Sequence, residues 1–482
     1  MLSVHRLIRS SSLLAAEGLL QRLAGLISTL VLARLLMPED FGLVTMALLV
    51  IWFSQTFTQT GVKFYLLSIQ TIDSEDINSA FTLNMLFRGS VYILIALFAS
   101  YVADLYDAPD IAEVLIVLCV INLITCFDNP SLVLLQRQNK YERVVAMSII
   151  VKVLRVVITI IAAFQLRNHW ALVVGHAAGS LCNLIGSYLI YPYLPKLSLS
   201  RVKKQFSFSI WILMQSLVGY CRDQLDVLFT GFYFGKAELG AYNNIKFIGN
   251  IPLLNLIIPM TSPVINNFRD RIEDKESMRL RVDASLLVLS FVILPLFLTL
   301  GILHEEIILL VLGPNWTQYS ASLVAFSSMF FFRAYVGLLT NLVMIHNEVK
   351  RLFTYDLISL MIFAIAFFLI REESFVVFLM TVAVVENLLR FVFFIYLYSR
   401  YIGFSIKGVL KPLVSVVFAA IGFIIYRPIA PEWNTFMFIL VNGLVILFGS
   451  LSISTLILLL FRKEPDVQYI VNLSKNILSR KS

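Results

Sequence analysis

Long apolar runs follow one another along almost the whole chain, parted by short polar segments, and this pattern decides which solvent the fold must suit. With 59% hydrophobic and 14% charged residues, the sequence cannot supply the polar surface of a water-soluble domain. A bilayer core about 30 Å thick is crossed by ~20 apolar residues in a helix, the length of most of these runs. A β-barrel would show short alternating strands instead. An all-α integral membrane fold of fourteen spans is predicted, over 11–36, 41–62, 79–103, 111–135, 143–166, 169–193, 207–235, 241–268, 282–303, 318–345, 352–370, 374–398, 408–426 and 434–461. The first run is too long for the apolar part of a cleavable signal and lacks a small-residue cleavage site, so it is expected to stay as the first span.

An even number of spans puts both termini on one side, and Lys and Arg accumulate in cytoplasmic loops. One set of loops, with both termini, holds 24 such residues, including Arg137, Lys140, Arg143, Lys196, Arg201, Lys203 and Lys204. The opposite set holds five: Arg34, Arg167, Lys236, Arg371 and Arg427. Cytoplasmic termini follow, and the net charge of +8 reflects orientation in the membrane rather than nucleic-acid binding. The loop Ile72 to Asn78 is the exception, acidic through Asp73, Glu75 and Asp76. All four cysteines lie in apolar segments, which predicts buried free thiols rather than disulfides or a zinc site.

The chain also repeats itself. Pro38-Glu39-Asp40-Phe41-Gly42 follows the first span and Lys236-Ala237-Glu238-Leu239-Gly240 the seventh, with the glycines 198 residues apart. Each turn sets an acid in the first turn of the next helix, against the positive end of its dipole. Six spans separate the copies, so the halves share one orientation, as parallel repeats about the membrane normal do.

The run from Leu32 to Gly42, Leu-Ala-Arg-Leu-Leu-Met-Pro-Glu-Asp-Phe-Gly, resembles the signature of the polysaccharide transporters. These are the O-antigen and exopolysaccharide flippases of the multidrug/oligosaccharidyl-lipid/polysaccharide (MOP) flippase superfamily. Glu238-Leu239-Gly240-Ala241-Tyr242-Asn243 and Leu312-Gly313-Pro314-Asn315-Trp316 are similar to further motifs of that family, with most likeness to its colanic-acid type. The resemblance implies a MATE-like fold of two six-helix pseudo-symmetric lobes, residues 1–200 and 201–402. Two additional helices and a cytoplasmic tail, 403–482, complete it. The substrate it implies is an undecaprenyl-diphosphate-linked oligosaccharide, flipped from the cytoplasmic to the outer face of a bacterial inner membrane for exopolysaccharide, O-antigen or capsule synthesis.

Ionisable side chains are costly in a bilayer unless they pair, snorkel or face water. Nine cations fall within the predicted spans: Arg22, Lys63, Arg88, Lys152, Arg155, Arg222, Lys246, Arg333 and Arg390. Lys63 sits at a span end and is expected to snorkel. The other eight are set against the five acids Glu17, Asp223, Asp226, Asp356 and Glu386, an expected excess of three positive charges suited to a diphosphate. Polar residues keep to single helical stripes: Gly18, Gln21, Arg22 and Gly25; Asn84, Arg88 and Tyr92; Ser148, Lys152, Arg155 and Thr159. The seventh span repeats the design with Gly219, Arg222, Asp223 and Asp226, and the tenth with Arg333, Gly337 and Asn341. The seven substrate-binding candidates are Arg22, Arg222, Arg88, Lys152, Arg155, Lys246 and Arg333. Glu17, Asp223, Asp226, Glu386 and Arg390 are coupling or charge-pair candidates, the last two spaced for a pair within one helix. Small residues in these stripes also serve helix packing. Pro252, Pro259 and Pro263 predict a kink in the eighth span and are its hinge candidates.

No enzyme is predicted. The five histidines form no close ligand pair at helical spacing, and neither a P-loop nor a GxSxG elbow occurs, so no cofactor or metal is expected. His176 reads as a core or interfacial residue. A membrane polymerase or ligase would need a large external loop, whereas the longest, His304 to Thr317, has fourteen residues. A cation- or potential-coupled multidrug antiporter on the same fold is the competing function; its acidic lumen would rest on Glu17, Asp223 and Asp226. Expected partners are the lipid-linked oligosaccharide, membrane lipids and the polysaccharide polymerase and export machinery, with the transporter itself a monomer.

Overall fold

A computed structural model describes residues 4–58, 66, 69, 72–138, 140–261, 274–346, 348, 350–426, 428–429 and 434–479, and among these no strand occurs. The chain divides into two compact units, Met1–Asn243 and Asn244–Ser482. Among the described residues ten helices are long and apolar enough to cross a membrane. The predicted segments 41–62, 111–135, 207–235 and 241–268 are not among them, although each carries helix.

In the first unit run α1 (Val4–Leu35), α2 (Pro38–Thr58), α3 (Ser74–Leu97), α4 (Asp110–Thr125), α5 (Tyr141–Leu166), α6 (Trp170–Ile190) and α7 (Val202–Tyr233). Then α8 (Lys236–Pro252) begins. Lipid tails are as apolar as leucine, so helices associate here through close packing and polar links rather than by escaping water. The outward faces show it: Leu97 is 75% and Leu189 78% exposed, as befits side chains meeting lipid.

Packing is tightest where glycine removes the side chain. Gly175 of α6 backs onto Thr159 of α5, where a Cβ would fall 1.8 Å from the Thr159 hydroxyl oxygen. One turn on, a Cβ at Gly179 would meet the Arg155 Cδ at 3.0 Å. The two repeated turns also meet each other. A Cβ on Gly42 would lie 1.6 Å from the Lys236 carbonyl oxygen, and one on Gly240 1.9 Å from that of Pro38 and 2.7 Å from the Gly42 nitrogen. Backbone thus rests on backbone. Asp40 fixes this end of α2, accepting from the Met37 amide at 3.0 Å and the His169 amide at 2.9 Å.

The second unit continues with α9 (Lys275–Ile302), α10 (Ala321–Ile345), α11 (Lys350–Leu369), α12 (Phe375–Tyr401), α13 (Ile406–Ile425), α14 (Thr435–Leu460) and α15 (Pro465–Ser479). Its centre is α9, whose Leu286, Leu287, Ser290, Ile293 and Leu294 are fully buried. It packs against α10, α13, α14 and α15. The last helix is held by a buried ion pair, Lys411 to Asp466 at 2.6 Å, and by apolar contact of Val467 with Leu287 and Ile457. Between α10 and α11, Glu348 accepts from Arg351, from the Tyr401 hydroxyl at 2.6 Å and from Arg400 at 3.3 Å. These bonds, that of Arg351 first, hold its carboxyl down at about 2.

The prolines of α8 act locally. Directly after Pro252 the helix widens into a π turn, Leu253–Ile257, before a last short helix, Ile258–Thr261, which contains Pro259. Proline lacks the amide donor and crowds the carbonyl four residues back, and a π turn accommodates both defects. Pro263 lies outside the described residues.

Candidate functional site

The polar stripe of α5 becomes one wall of a recess in the first unit. Ser148, Lys152 and Arg155 line it with Gln21 of α1, Thr125 of α4 and His176, Gly179, Ser180 and Asn183 of α6, around a cavity of roughly 300 Å³. Gly25 of α1 leaves room for the Lys152 ammonium, which lies 3.9 Å from where its Cβ would be. Gly175 and Gly179 bring α6 close enough for its intervening His176 to meet Arg155.

That meeting fixes a protonation state. Arg155 Nη2 lies 2.8 Å from His176 Nε2. A guanidinium only donates, so Nε2 must accept, the ring proton sits on Nδ1, and the imidazole is neutral. Arg155 is thereby oriented without losing its charge to a carboxylate. Its own carbonyl accepts the Thr159 hydroxyl at 2.6 Å, which ties the turn that bears it.

Arg88 joins from α3, in the π turn Asn84–Arg88, donating to the Thr125 hydroxyl at 3.3 Å. The Thr125 hydroxyl in turn donates to the Asn122 carbonyl at 2.7 Å, and Gln55 of α2 binds the Asn122 side chain at 2.9 Å. Among the described residues, none of Arg88, Lys152 and Arg155 makes an ion pair within 4 Å. Carboxylates stand one residue further off. Asn183 donates to Asp128 at 2.9 Å, and Gln21 donates to Glu17 at 3.0 Å. Glu17 lines a second recess of roughly 460 Å³ with Asn84, Asn129, Gln136 and Tyr141, and Ser148 belongs to both linings.

The remaining sequence candidates lie elsewhere. Arg22 is exposed on α1 and, like Arg222, is absent from both linings. Arg222 contacts Asp223 at 3.0 Å, and Asp226 accepts from the Tyr242 hydroxyl of α8 at 2.6 Å. Lys246 is half-buried on α8. In the second unit Arg333 of α10 binds Asn250 at 2.8 Å and Glu386 of α12 at 3.1 Å, and Arg390 pairs with the same carboxylate. Glu386 is buried.

Sequence reasoning missed four contributors to the first-unit site: His176, Thr125, Asn183 and Asp128. The signal for His176 was present, since Gly175 and Gly179 bracket it with the spacing of a close helix contact. Glu113, Asp128 and Asp283 also fall within the predicted spans, so eight acids stand against the eight cations and the expected excess of positive charge disappears.

The described residues are thus helical, and a cationic recess of roughly 300 Å³ lies between helices of the first unit. Residues 31–321 match the family described as "Polysaccharide biosynthesis protein", and the chain belongs to that family. It is 25% identical over 288 residues to the succinoglycan biosynthesis transport protein ExoT of Rhizobium meliloti (strain 1021), covering 59% of this chain and 58% of that one. To the lipopolysaccharide biosynthesis protein WzxC of Escherichia coli (strain K12) it is 21% identical over 302 residues, 61% of each. The chain therefore spans about three fifths of the length of these relatives. Among solved structures the lipid II flippase MurJ in an inward closed conformation matches with a TM-score of 0.71 at 14% identity, over 93% of this chain and 98% of that one. A multidrug resistance MATE family transporter of the MOP superfamily in an inward-facing conformation matches at 0.59 and 12% identity, over 81% and 96%. The fold is the one these two solved structures share.

Proposed function

We propose that the chain is a flippase that carries a lipid-diphosphate-linked oligosaccharide from the cytoplasmic to the outer face of a bacterial inner membrane, and is not an enzyme. The observation that carries this reading is the first-unit recess, which Lys152 and Arg155 line and whose Thr125 takes a bond from Arg88, with no carboxylate within ion-pair distance of the three among the described residues. Guanidinium and ammonium groups held this way bind phosphate oxygens through charge-assisted hydrogen bonds, and replace part of the hydration a diphosphate loses on leaving water. The serine, asparagine and glutamine side chains around them suit a wet sugar. An inside-negative potential favours outward movement of the anion by about 2.3 kcal/mol per charge per 100 mV.

The relatives support the substrate class through their names in succinoglycan and lipopolysaccharide synthesis, and MurJ through its description as a lipid II flippase. Fourteen spans, cytoplasmic termini, moving lobes of 1–200 and 201–402, a monomeric state, partnership with polymerase and export machinery, and a hinge at Pro252 and Pro259 complete the reading. The cationic lining favours an anionic cargo over the cationic drugs of the antiporter alternative.

Replacing Lys152 and Arg155 together with Glu tests it. Polymer export should stop and lipid-linked precursor should collect on the cytoplasmic side, with normal amounts of protein in the membrane. Undiminished export from that variant sinks the reading.

A further inference from the structure

The acidic loop that breaks the charge pattern has a structural task. Asp73 caps α3 in a box with Asp76, and the exposed first turn of that helix receives the linker that joins α6 to α7. Asn78 accepts from the Tyr193 hydroxyl at 3.0 Å and the Lys196 amide at 2.9 Å. Thr82 accepts from the Ser198 amide at 2.8 Å, and Ser79 from the Arg201 amide at 3.1 Å. Glu75 takes the hydroxyls of both Ser198 and Ser200, at 2.6 and 2.8 Å, and Asp73 lies 3.5 Å from the Arg201 guanidinium. The hydroxyls of Tyr193, Ser198 and Ser200 and the amides of Lys196, Ser198 and Arg201 are therefore bonded to α3.

What turns outward is leucine. Leu194 is 82%, Leu197 68% and Leu199 67% exposed, in an extended segment past the end of α6. Water is a poor home for three such side chains held in place by so many bonds. They continue the outward apolar face of α6, whose Leu189 is 78% exposed. Lys196 and Arg201 stand among them, and the sequence adds Lys203 and Lys204 directly after.

We propose that the linker Tyr191–Arg201 is an interfacial anchor: Leu194, Leu197 and Leu199 enter the acyl region of the adjoining leaflet, and the basic residues meet anionic headgroups. The chemistry is that of a lipid surface, since leucine supplies the apolar insertion and closely spaced cations the attraction to negative lipid. The inference is independent of the transport reading and of which side is cytoplasmic, because depth is measured at whichever leaflet holds the strap.

The test uses the full chain in nanodiscs of phosphatidylethanolamine and phosphatidylglycerol. A nitroxide on Leu197→Cys, with the native cysteines replaced, should be several-fold more accessible to oxygen than to a water-soluble nickel complex, and should shift toward water when phosphatidylglycerol is exchanged for phosphatidylcholine. Should that variant fold poorly, the unaltered chain in bilayers holding a photoreactive phospholipid gives a second readout. Mass spectrometry should find the peptide 191–201 labelled several-fold above the loop 106–109. Accessibility equal to that of the loop, or labelling at the loop's level, overturns the anchor. So does a label that is wet in nanodiscs and shielded only when cytosolic protein is added.

Discussion

Both units hold half-buried arginines, but they satisfy them differently. In the second unit Arg333 and Arg390 converge on one buried carboxylate, Glu386, which answers one of the two charges inside the protein. In the first, Arg155 rests on a neutral imidazole and Arg88 on a hydroxyl, so their charge is held in position but not cancelled. The difference separates cations fixed by a carboxylate from cations held by neutral acceptors, and the proposed function assigns only the second kind to a cargo. A buried ion pair holds helices together, and its loss leaves an uncompensated charge. A cation oriented by neutral acceptors keeps its field.

The largest effect that sharpens this contrast is Glu386→Ala. It strands two arginines and should cost ~3–5 kcal/mol, read as a lower unfolding temperature in detergent; an unchanged midpoint would mean the second-unit cluster is not structural. Next comes Gly175→Ala, whose methyl collides with Thr159 and pushes α6 off α5. Overpacking of this kind costs roughly 1–3 kcal/mol. Part of that loss should return in the double variant with Thr159→Ala, which a thermodynamic cycle would measure.

His176 offers a finer test. Lysine there sets a like charge against Arg155 and should cut export on the order of tenfold, about 1.4 kcal/mol, while glutamine, which can still accept from the guanidinium, should keep most of it. Equal activity of the two variants would break the idea that a neutral acceptor is needed.

The smallest effect lies at Glu348. Its folded carboxyl is depressed from the ordinary 4.5 to about 2, so its contribution is complete above 4.5 and fades as pH falls toward 2. The unfolding-temperature gap between the native chain and Glu348→Gln should therefore stay level from neutral pH to about 4.5 and close below it.

Much of this contrast was legible in the sequence, because hydropathy and helical spacing are local. Ser148, Lys152, Arg155 and Thr159 do share one face of α5, three of them lining the recess and the fourth bracing Arg155. The phase of α1 was harder to read. Its stripe held both Gln21 and Arg22, neighbours set ~100° apart around a helix, and it is Gln21 that lines the recess while Arg22 is exposed. His176 reads from the sequence only as a core or interfacial residue because its partner Arg155 is 21 residues away, across a turn, and only the packed helices join them. The acids at 73–76 looked anomalous for the same reason, since their partners lie more than a hundred residues on.

The meeting of Gly42 with Gly240 has a consequence for motion. A contact made by side chains can loosen one rotamer at a time, whereas here peptide rests on peptide, in two turns that each end on a glycine. Such a seam has no intermediate widths set by side-chain motion, so parting it requires whole helix ends to move.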